Sequence, residues 1–365
     1  MSDSNGEGSS SRRNYKILSS EGITSISLIE NGFSNGVINI NYNGREGEVR
    51  YEVEGNPTNS VTVSKSMDGT ELVFAVNSQA SNLNATVNIS LSPGLALDEF
   101  KGQITSGTLK VTGPAKFKSF TAKATSGDIK VSSISCQDLK LEMVSGNIVA
   151  KTITSEKVKT QITSGNANLD MDGPFVILHC TSGNLTAKVS GYKNVVAQTT
   201  SGNTKLELTP NSTATDKGKG KSTFTSIDDV PSVKLTCTSG NVKATVAGYK
   251  TLQTQTTSGS TKLDLTPRYG SKTRLQTTTG SVKATFNGFN GSFKGFTRVN
   301  GPGVVLQDRS RKRRRDDDEG GENMQHENSN MGVGVEDTTK SGTVGQGDME
   351  ATCTITNGDC IAIFN

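Results

Sequence analysis

Few residues in this 365-residue chain have the types and spacing for chemistry. The five cysteines, Cys136, Cys180, Cys237, Cys353 and Cys360, are scattered without a CxxC pair, so neither a zinc ribbon nor a thioredoxin-type site is written into them. Their odd number suits free, buried thiols in a reducing compartment better than a secreted disulfide framework. The two histidines, His179 and His326, are not placed by sequence logic to activate any of those thiols. NLDMDG at Asn168–Gly173 imitates the opening of a calcium loop, but the twelfth position is His179 where a Glu is required. No catalytic residue, metal or cofactor is expected.

What recurs is cationic. Lys110, Lys130, Lys205, Lys243, Lys262 and Lys283 each stand three residues after the glycine of a TSG-like triplet. If the triplets stack, six ammonium groups form a stripe suited to an anionic polymer, such as an acidic glycan or an anionic membrane surface. Asp170, Glu207 and Asp264 lie two positions further on in the same face, which also fits a solvated face that guards a sheet against aggregation. A second basic set, Arg309, Arg311, Lys312, Arg313, Arg314 and Arg315, runs straight into Asp316, Asp317, Asp318 and Glu319. Its density matches a nuclear localisation signal. Nucleic acid is not expected as a partner, because the acidic run repels phosphate and no aromatic stacking platform accompanies it.

The elements that position these residues follow from composition and period. Hydrophobic residues make up only 31% and aromatic residues 5%, with no Trp, which disfavours a helical bundle or a Leu-rich α/β enzyme. A thin β-rich core of small residues remains. The net charge of +4 gives no global field to attract nucleic acid or membrane. The N-terminal MSDSNGEGSSSRRNYK lacks the apolar run of a signal peptide, and no stretch approaches a membrane span. An intracellular protein, cytoplasmic and/or nuclear, is expected. Five sequons, at Asn84, Asn88, Asn184, Asn211 and Asn290, matter only if it is exported.

The sequence repeats itself. Cys180–Pro210 and Cys237–Pro267 agree at 21 of 31 positions, and glycines of TSG-like triplets stand at 107, 127, 146, 165, 183, 202, 240, 259 and 280. The spacing is one period of about 19 with a single missed beat near residue 221. Such a period marks a solenoid whose units stack to bury their apolar faces. Within each unit alternate positions are apolar or small, as in Leu185, Ala187 and Val189 or Val242, Ala244 and Val246, which is the period of a strand. The fold predicted is an all-β parallel β-helix, or β-solenoid. Gly turns each corner. Ser106, Ser126, Ser145, Ser164, Ser182, Ser201, Ser239 and Ser258 are expected to point inward there, and Asn147, Asn166, Asn184, Asn203 and Asn241 to form a stacked amide ladder.

Val87–Val111, VNISLSPGLALDEFKGQITSGTLKV, followed by TSGDIKV and VSGNIVA units, resembles the family known as DUF4097, a candidate adhesin domain. The likeness covers about residues 35 to 306 and resumes at the C-terminus. It implies an N-terminal β segment, a strand ending near Pro93 and SGDI-type coils. It supplies no catalytic motif.

The expected organisation is a disordered tail at 1–14, a β cap with first coils at 15–100 and including a hairpin turn at Met67–Thr70, and a solenoid at 101–306. A flexible loop at Asn211–Ser222 fills the missed beat. A disordered charged insertion occupies 307–347, and a terminal coil at 348–365 ends the stack. The function expected is a non-enzymatic binding or scaffold protein, monomeric, presenting its surface to a protein or anionic polymer. A polysaccharide-acting β-helix enzyme, and an adhesin exported without a signal peptide, are the alternatives.

Overall fold

Alternation of apolar and polar residues over 4 to 8 positions, interrupted by glycine, dictates short strands with one buried face. In the computed structural model, which describes residues 14–31, 36–55, 61–77, 85–210, 231–297, 304–308, 338–344 and 347–365, no described residue is helical. Of the tail expected at 1–14 only Asn14 is described, and it opens a strand; residues 1–13, the loop at Asn211–Ser222 and the basic block Arg309–Arg315 lie outside the described residues. The chain divides into two compact units, Met1–Met171 and Asp172–Asn365.

The first unit contains β1 (Asn14–Ser19), β2 (Ser25–Asn31), β3 (Val37–Asn41), β4 (Glu48–Gly55), β5 (Val61–Lys65), β6 (Glu71–Asn77), β7 (Ala85–Leu91), β8 (Ala96–Ile104) and β9 (Thr108–Asp172). β9 is long because its ladder continues around the corners of several coils. Stack order departs from chain order: β2 lies between β6 and β8, and β3 between β7 and β9, all in parallel register. β1 and β4 then add antiparallel strands outside β7, covering an edge that would otherwise offer unpaired backbone to other chains. β5 and β6 form the expected hairpin: Gly69 has φ +73° and the Asp68 carboxylate accepts the Thr70 N–H at 3.1 Å.

Inward positions fall where the alternation places them. Ile129, Val131, Leu139, Leu141, Met143, Ile148 and Ala150 are all buried, and Phe100 stacks on Phe120 with ring centroids 4.7 Å apart. The serine column does not follow that rule. Ser126, Ser145 and Ser164 in this unit, and Ser182, Ser201, Ser239 and Ser258 in the second, are exposed, and Ser106 is half-buried. The reason is the corner itself. Gly146 sits at φ +125°, so Val144, Ser145 and Asn147 all face out between buried Met143 and Ile148, and the period of two lapses for one turn. A Cβ on Gly146 would lie 1.7 Å from the carbonyl oxygen of Gly127 on the coil below. Only glycine allows that approach.

The second unit contains β10 (Phe175–Ser190), β11 (Asn194–Thr209), β12 (Ser232–Phe286), β13 (Gly291–Thr297), β14 (Val304–Asp308), β15 (Thr338–Val344) and β16 (Met349–Phe364). β10 pairs with β11 in parallel, Phe175 opposite Asn194, and β11 pairs with β12, Asn194 opposite Ser232. The missed beat is therefore an excursion between two adjacent rungs and not a lost coil. The GYK connections at Gly191–Lys193 and Gly248–Lys250 are anchors: Tyr192 and Tyr249 are fully buried, with hydroxyls on the Ala247 carbonyl oxygen at 2.6 Å and on Thr273 Oγ1 at 2.8 Å.

Three further features depart from the sequence expectations. β16 takes the coil phase as predicted, with Gly280 opposite Gly358 and Phe286 opposite Phe364, but it does not end the stack. Its other edge pairs in parallel with β13 and β14, because the chain holds back one rung that its own C-terminus fills. β15 lies inside the span expected to lack structure and runs antiparallel along β13. Finally, Cys353 and Cys360 form a disulfide, leaving Cys136, Cys180 and Cys237 as free, buried thiols. Both paired cysteines occupy inward sites on the two arms of one corner.

Candidate binding face

In the second unit Lys205, Lys243, Lys262 and Lys283 are exposed, each three residues after a corner glycine. Gly202, Gly240, Gly259 and Gly280 sit directly upon one another, since a Cβ on each would meet the backbone oxygen of the one before. The four lysines therefore occupy successive rungs, about 4.8 Å apart. Lys205 is directly opposite Lys243. The row is bounded by Thr186, opposite Lys205, and by Ile361, opposite Lys283.

Among the described residues none of the four makes an ion pair. Of the acidic residues two positions further on, Asp264 accepts a hydrogen bond from Asn287 Nδ2 at 2.5 Å. Beside the row runs the amide ladder: Asn203 Nδ2 donates to Asn184 Oδ1 at 3.1 Å, Asn241 Nδ2 to Asn203 Oδ1 at 3.1 Å, and the Ser260 N–H to Asn241 Oδ1 at 3.3 Å. The ladder fixes the corner edge, so the lysines project from a rigid base.

In the first unit Lys110 is likewise exposed and without an ion pair among the described residues, whereas Lys130 has a different setting. Lys130 is tied to Asp128 at 3.0 Å, and the equivalent positions of the next two coils are Val149 and Asn168. Partial burial raises the Asp128 carboxyl, but the Asn147 amide and the Lys130 ammonium outweigh it and hold the group below the usual carboxylate range. Other lysines of this unit are likewise balanced, with Lys123 and Lys140 both on Glu142, at 3.0 and 2.7 Å.

Sequence reasoning missed one concavity. A basin of about 640 Å³ on the first unit is lined by Ile17, Arg45, Glu48, Arg50, Glu52, Asn88 and Ser90, among others. These residues converge from β1, β4, β7 and, for Arg45, the connection before β4, and the antiparallel pairing of those strands leaves no local sequence signal. The basin brings together two carboxylates, Glu48 and Glu52, and two guanidinium groups, Arg45 and Arg50.

The free thiols are held in their neutral form. Burial pushes Cys136 up to about 11, against the lowering effect of its hydrogen bond with Ser155, and burial also raises Cys180 and Cys237. Among the described residues no group of three or more His, Cys, Asp or Glu could hold a metal ion, and no helix is long and apolar enough to cross a membrane.

Comparison with known proteins gives one family match, to the model described as Toastrack DUF4097, over residues 24–222. No curated protein matches the chain. Among solved structures, a candidate adhesin from Bacteroides fragilis NCTC 9343 is similar at 10% identity and a TM-score of 0.31, covering 96% of this chain and 97% of that one. A candidate adhesin from Parabacteroides merdae ATCC 43184 is similar at 11% identity and a TM-score of 0.29, covering 75% and 92%. A candidate cell adhesion protein from Clostridium sporogenes ATCC 15579 is similar at 9% identity and a TM-score of 0.19, covering 97% and 99%.

Proposed function

Since this chain belongs to the Toastrack DUF4097 family, we propose that it is a non-enzymatic binding protein whose second unit recognises a linear anionic polymer. The observation that carries the reading is the row Lys205, Lys243, Lys262 and Lys283, four exposed ammonium groups on successive rungs without ion pairs among the described residues. A rigid row with one charge per rung favours an extended polyanion of comparable repeat over a compact anion.

The test is titration of the protein with polygalacturonate at several salt concentrations. Binding should weaken with salt on a log–log slope of roughly 3, as for about four cationic contacts on a single-stranded polyanion. The quadruple Lys→Gln variant should lose both the affinity and the slope while keeping its unfolding midpoint. Salt-independent binding, or unchanged binding by the variant, would sink the reading.

We place the protein inside the cell, cytoplasmic or nuclear, on the basic block Arg309–Arg315 and the three free thiols. Tagged protein with and without that block checks the assignment: unchanged cytoplasmic signal removes the nuclear half. The Cys353–Cys360 disulfide favours a second reading, surface adhesion after export, because disulfides persist in oxidising compartments. Alkylation of protein taken directly from its source decides between them, with all five thiols labelled after denaturation in the first case and three in the second.

A further inference from the structure

The rung occupied by β16 is bordered on both sides by strands that precede it in the chain. Lys272–Phe286 of β12 pairs along one edge, and β13 with β14 along the other. Elsewhere in this unit successive rungs come from successive stretches of chain, apart from the excursion at 211–230. Here the rung is supplied by residues 78 positions downstream, since Lys272 is opposite Glu350. The acceptor slot is thus complete before the donor arrives.

The donor is also self-contained. β15 and β16 straddle β13, one antiparallel and one parallel, both aligned at Gly291. They cross it where side chains are absent: a Cβ on Gly291 would lie 1.9 Å from the Met349 carbonyl oxygen, and one on Gly347 would lie 2.3 Å from the Asn290 carbonyl oxygen. The Gly347 N–H donates to Asn290 Oδ1 at 2.7 Å. Phe364 packs against Phe286, Phe289 and Phe293, with ring centroids 5.2, 5.1 and 5.6 Å away. Cys353 and Cys360 brace the two arms from within. Among the described residues the clamp's partners lie between Tyr269, whose hydroxyl donates to the Asp348 carboxylate, and Asp308.

Residues 309–337 join the acceptor to the donor. At about 3.3 Å per residue that length can reach on the order of 90 Å when extended. It can therefore deliver the clamp to a neighbouring molecule as well as to its own. A partner that offers the same slot satisfies the same ladder, the same rings and the same glycine crossings, so exchange leaves the contacts of both slots unchanged.

We propose that Thr338–Asn365 is an exchangeable clamp, and that a second copy of this chain is its alternative acceptor, giving a strand-exchanged dimer. Connection through one chain keeps the clamp with its own slot whatever the protein concentration, so dilute protein closes on itself. Exchange belongs to protein that folds or unfolds at high local concentration. Once made it persists, because release must break two ladders at once. A dimer would carry two lysine rows, but the exchange does not depend on what those rows bind.

Gln276 and Thr354 are opposite one another in the ladder and both are partly exposed. The full-length protein carrying Gln276→Cys and Thr354→Cys is refolded under reducing conditions at micromolar and at near-millimolar concentration, diluted, oxidised, and run on a non-reducing denaturing gel. The expected result is a covalent dimer only from the concentrated sample, with the diluted sample closed intramolecularly. In the wild-type chain, light scattering after the same treatment should find a dimer that survives dilution for hours. Intramolecular closure at both concentrations, with monomers alone by scattering, would overturn the proposal. Each single-cysteine variant controls for random coupling, since a dimer formed equally by either of them would also overturn it.

Discussion

The carboxylate of Glu30 accepts the backbone N–H of Thr105 at 2.7 Å, although 75 residues separate them in sequence. The same oxygen also accepts the N–H of Ser106 at 3.1 Å, and Glu30 is fully buried. On the following coil the equivalent amide finds a carbonyl: the Ser126 N–H donates to the Thr105 oxygen at 2.8 Å. A side chain thus stands in for backbone at the first corner. Glu30→Ala should leave two partly buried donors without this acceptor and cost roughly 1–3 kcal/mol. Glu30→Gln, which keeps an acceptor oxygen, should lose less than half of that. Urea unfolding curves of the three proteins measure both, and equal stability of all three would remove this role.

Corner glycines should differ sharply from turn glycines. Gly146→Ala forces a Cβ to within 1.7 Å of the Gly127 carbonyl oxygen, whereas Gly22, at φ +74°, has nothing within 4 Å of an added Cβ. Gly22→Ala should cost only the left-handed backbone penalty, about 1 kcal/mol. Gly146→Ala should exceed about 3 kcal/mol, or prevent soluble expression, because the backbone it meets cannot step aside. Thermal unfolding of the pair is the comparison, and similar losses would contradict the stacking argument.

Two residues other than glycine also adopt left-handed backbone, Ser133 at φ +57° and Thr152 at φ +55°. Both are exposed, so their side chains give up little packing. Ser133→Gly and Thr152→Gly should each raise stability by about 1 kcal/mol, the β-branched position gaining more. A drop in unfolding midpoint for Thr152→Gly would show that its hydroxyl or methyl does something that its exposure hides.

Acid should weaken the first unit through its depressed carboxylates. At Glu142, as at Asp128, partial burial pulls the pKa up, but hydrogen bonds and charge from Lys140 and Lys123 prevail and hold it low. A folded pKa below the unfolded one gives stability that is complete above the usual carboxylate range. That stability is lost as pH falls through the depressed value. Asp128→Asn and Glu142→Gln should each cost less than about 1 kcal/mol at neutral pH, as partly exposed pairs do. At pH 3 the difference in urea midpoint from wild type should be smaller than at neutral pH; an undiminished difference there would contradict the assignment.

The coils were legible in sequence because their two periods reinforce one another. Alternation named the buried Leu185, Ala187 and Val189, and the recurrence of glycine named the corners. The inward serine column was wrong for a local reason: alternation extrapolated through Ser145 ignores what positive φ at Gly146 does to the three residues around it. The stack order was not legible at all. Nothing in β2 says that it will lie between β6 and β8, and nothing in β16 distinguishes a last rung from an inserted one, because parallel rungs of this phase are interchangeable. The lysine row was visible as spacing. Its division was not, since ion pairing of Lys130 with Asp128 and its absence among the described partners of Lys205, Lys243, Lys262 and Lys283 are facts of side-chain geometry.

Because Asn194 and Ser232 are neighbours across one rung, the chain leaves the ladder after Pro210 and rejoins it at Pro231 without displacing a single register. The stack therefore counts only in whole coils and is indifferent to what the detour contains or how long it is. Sequence added between Pro210 and Pro231 should therefore leave the registers on either side intact, just as corner glycines 19 to 21 residues apart still stack one upon another.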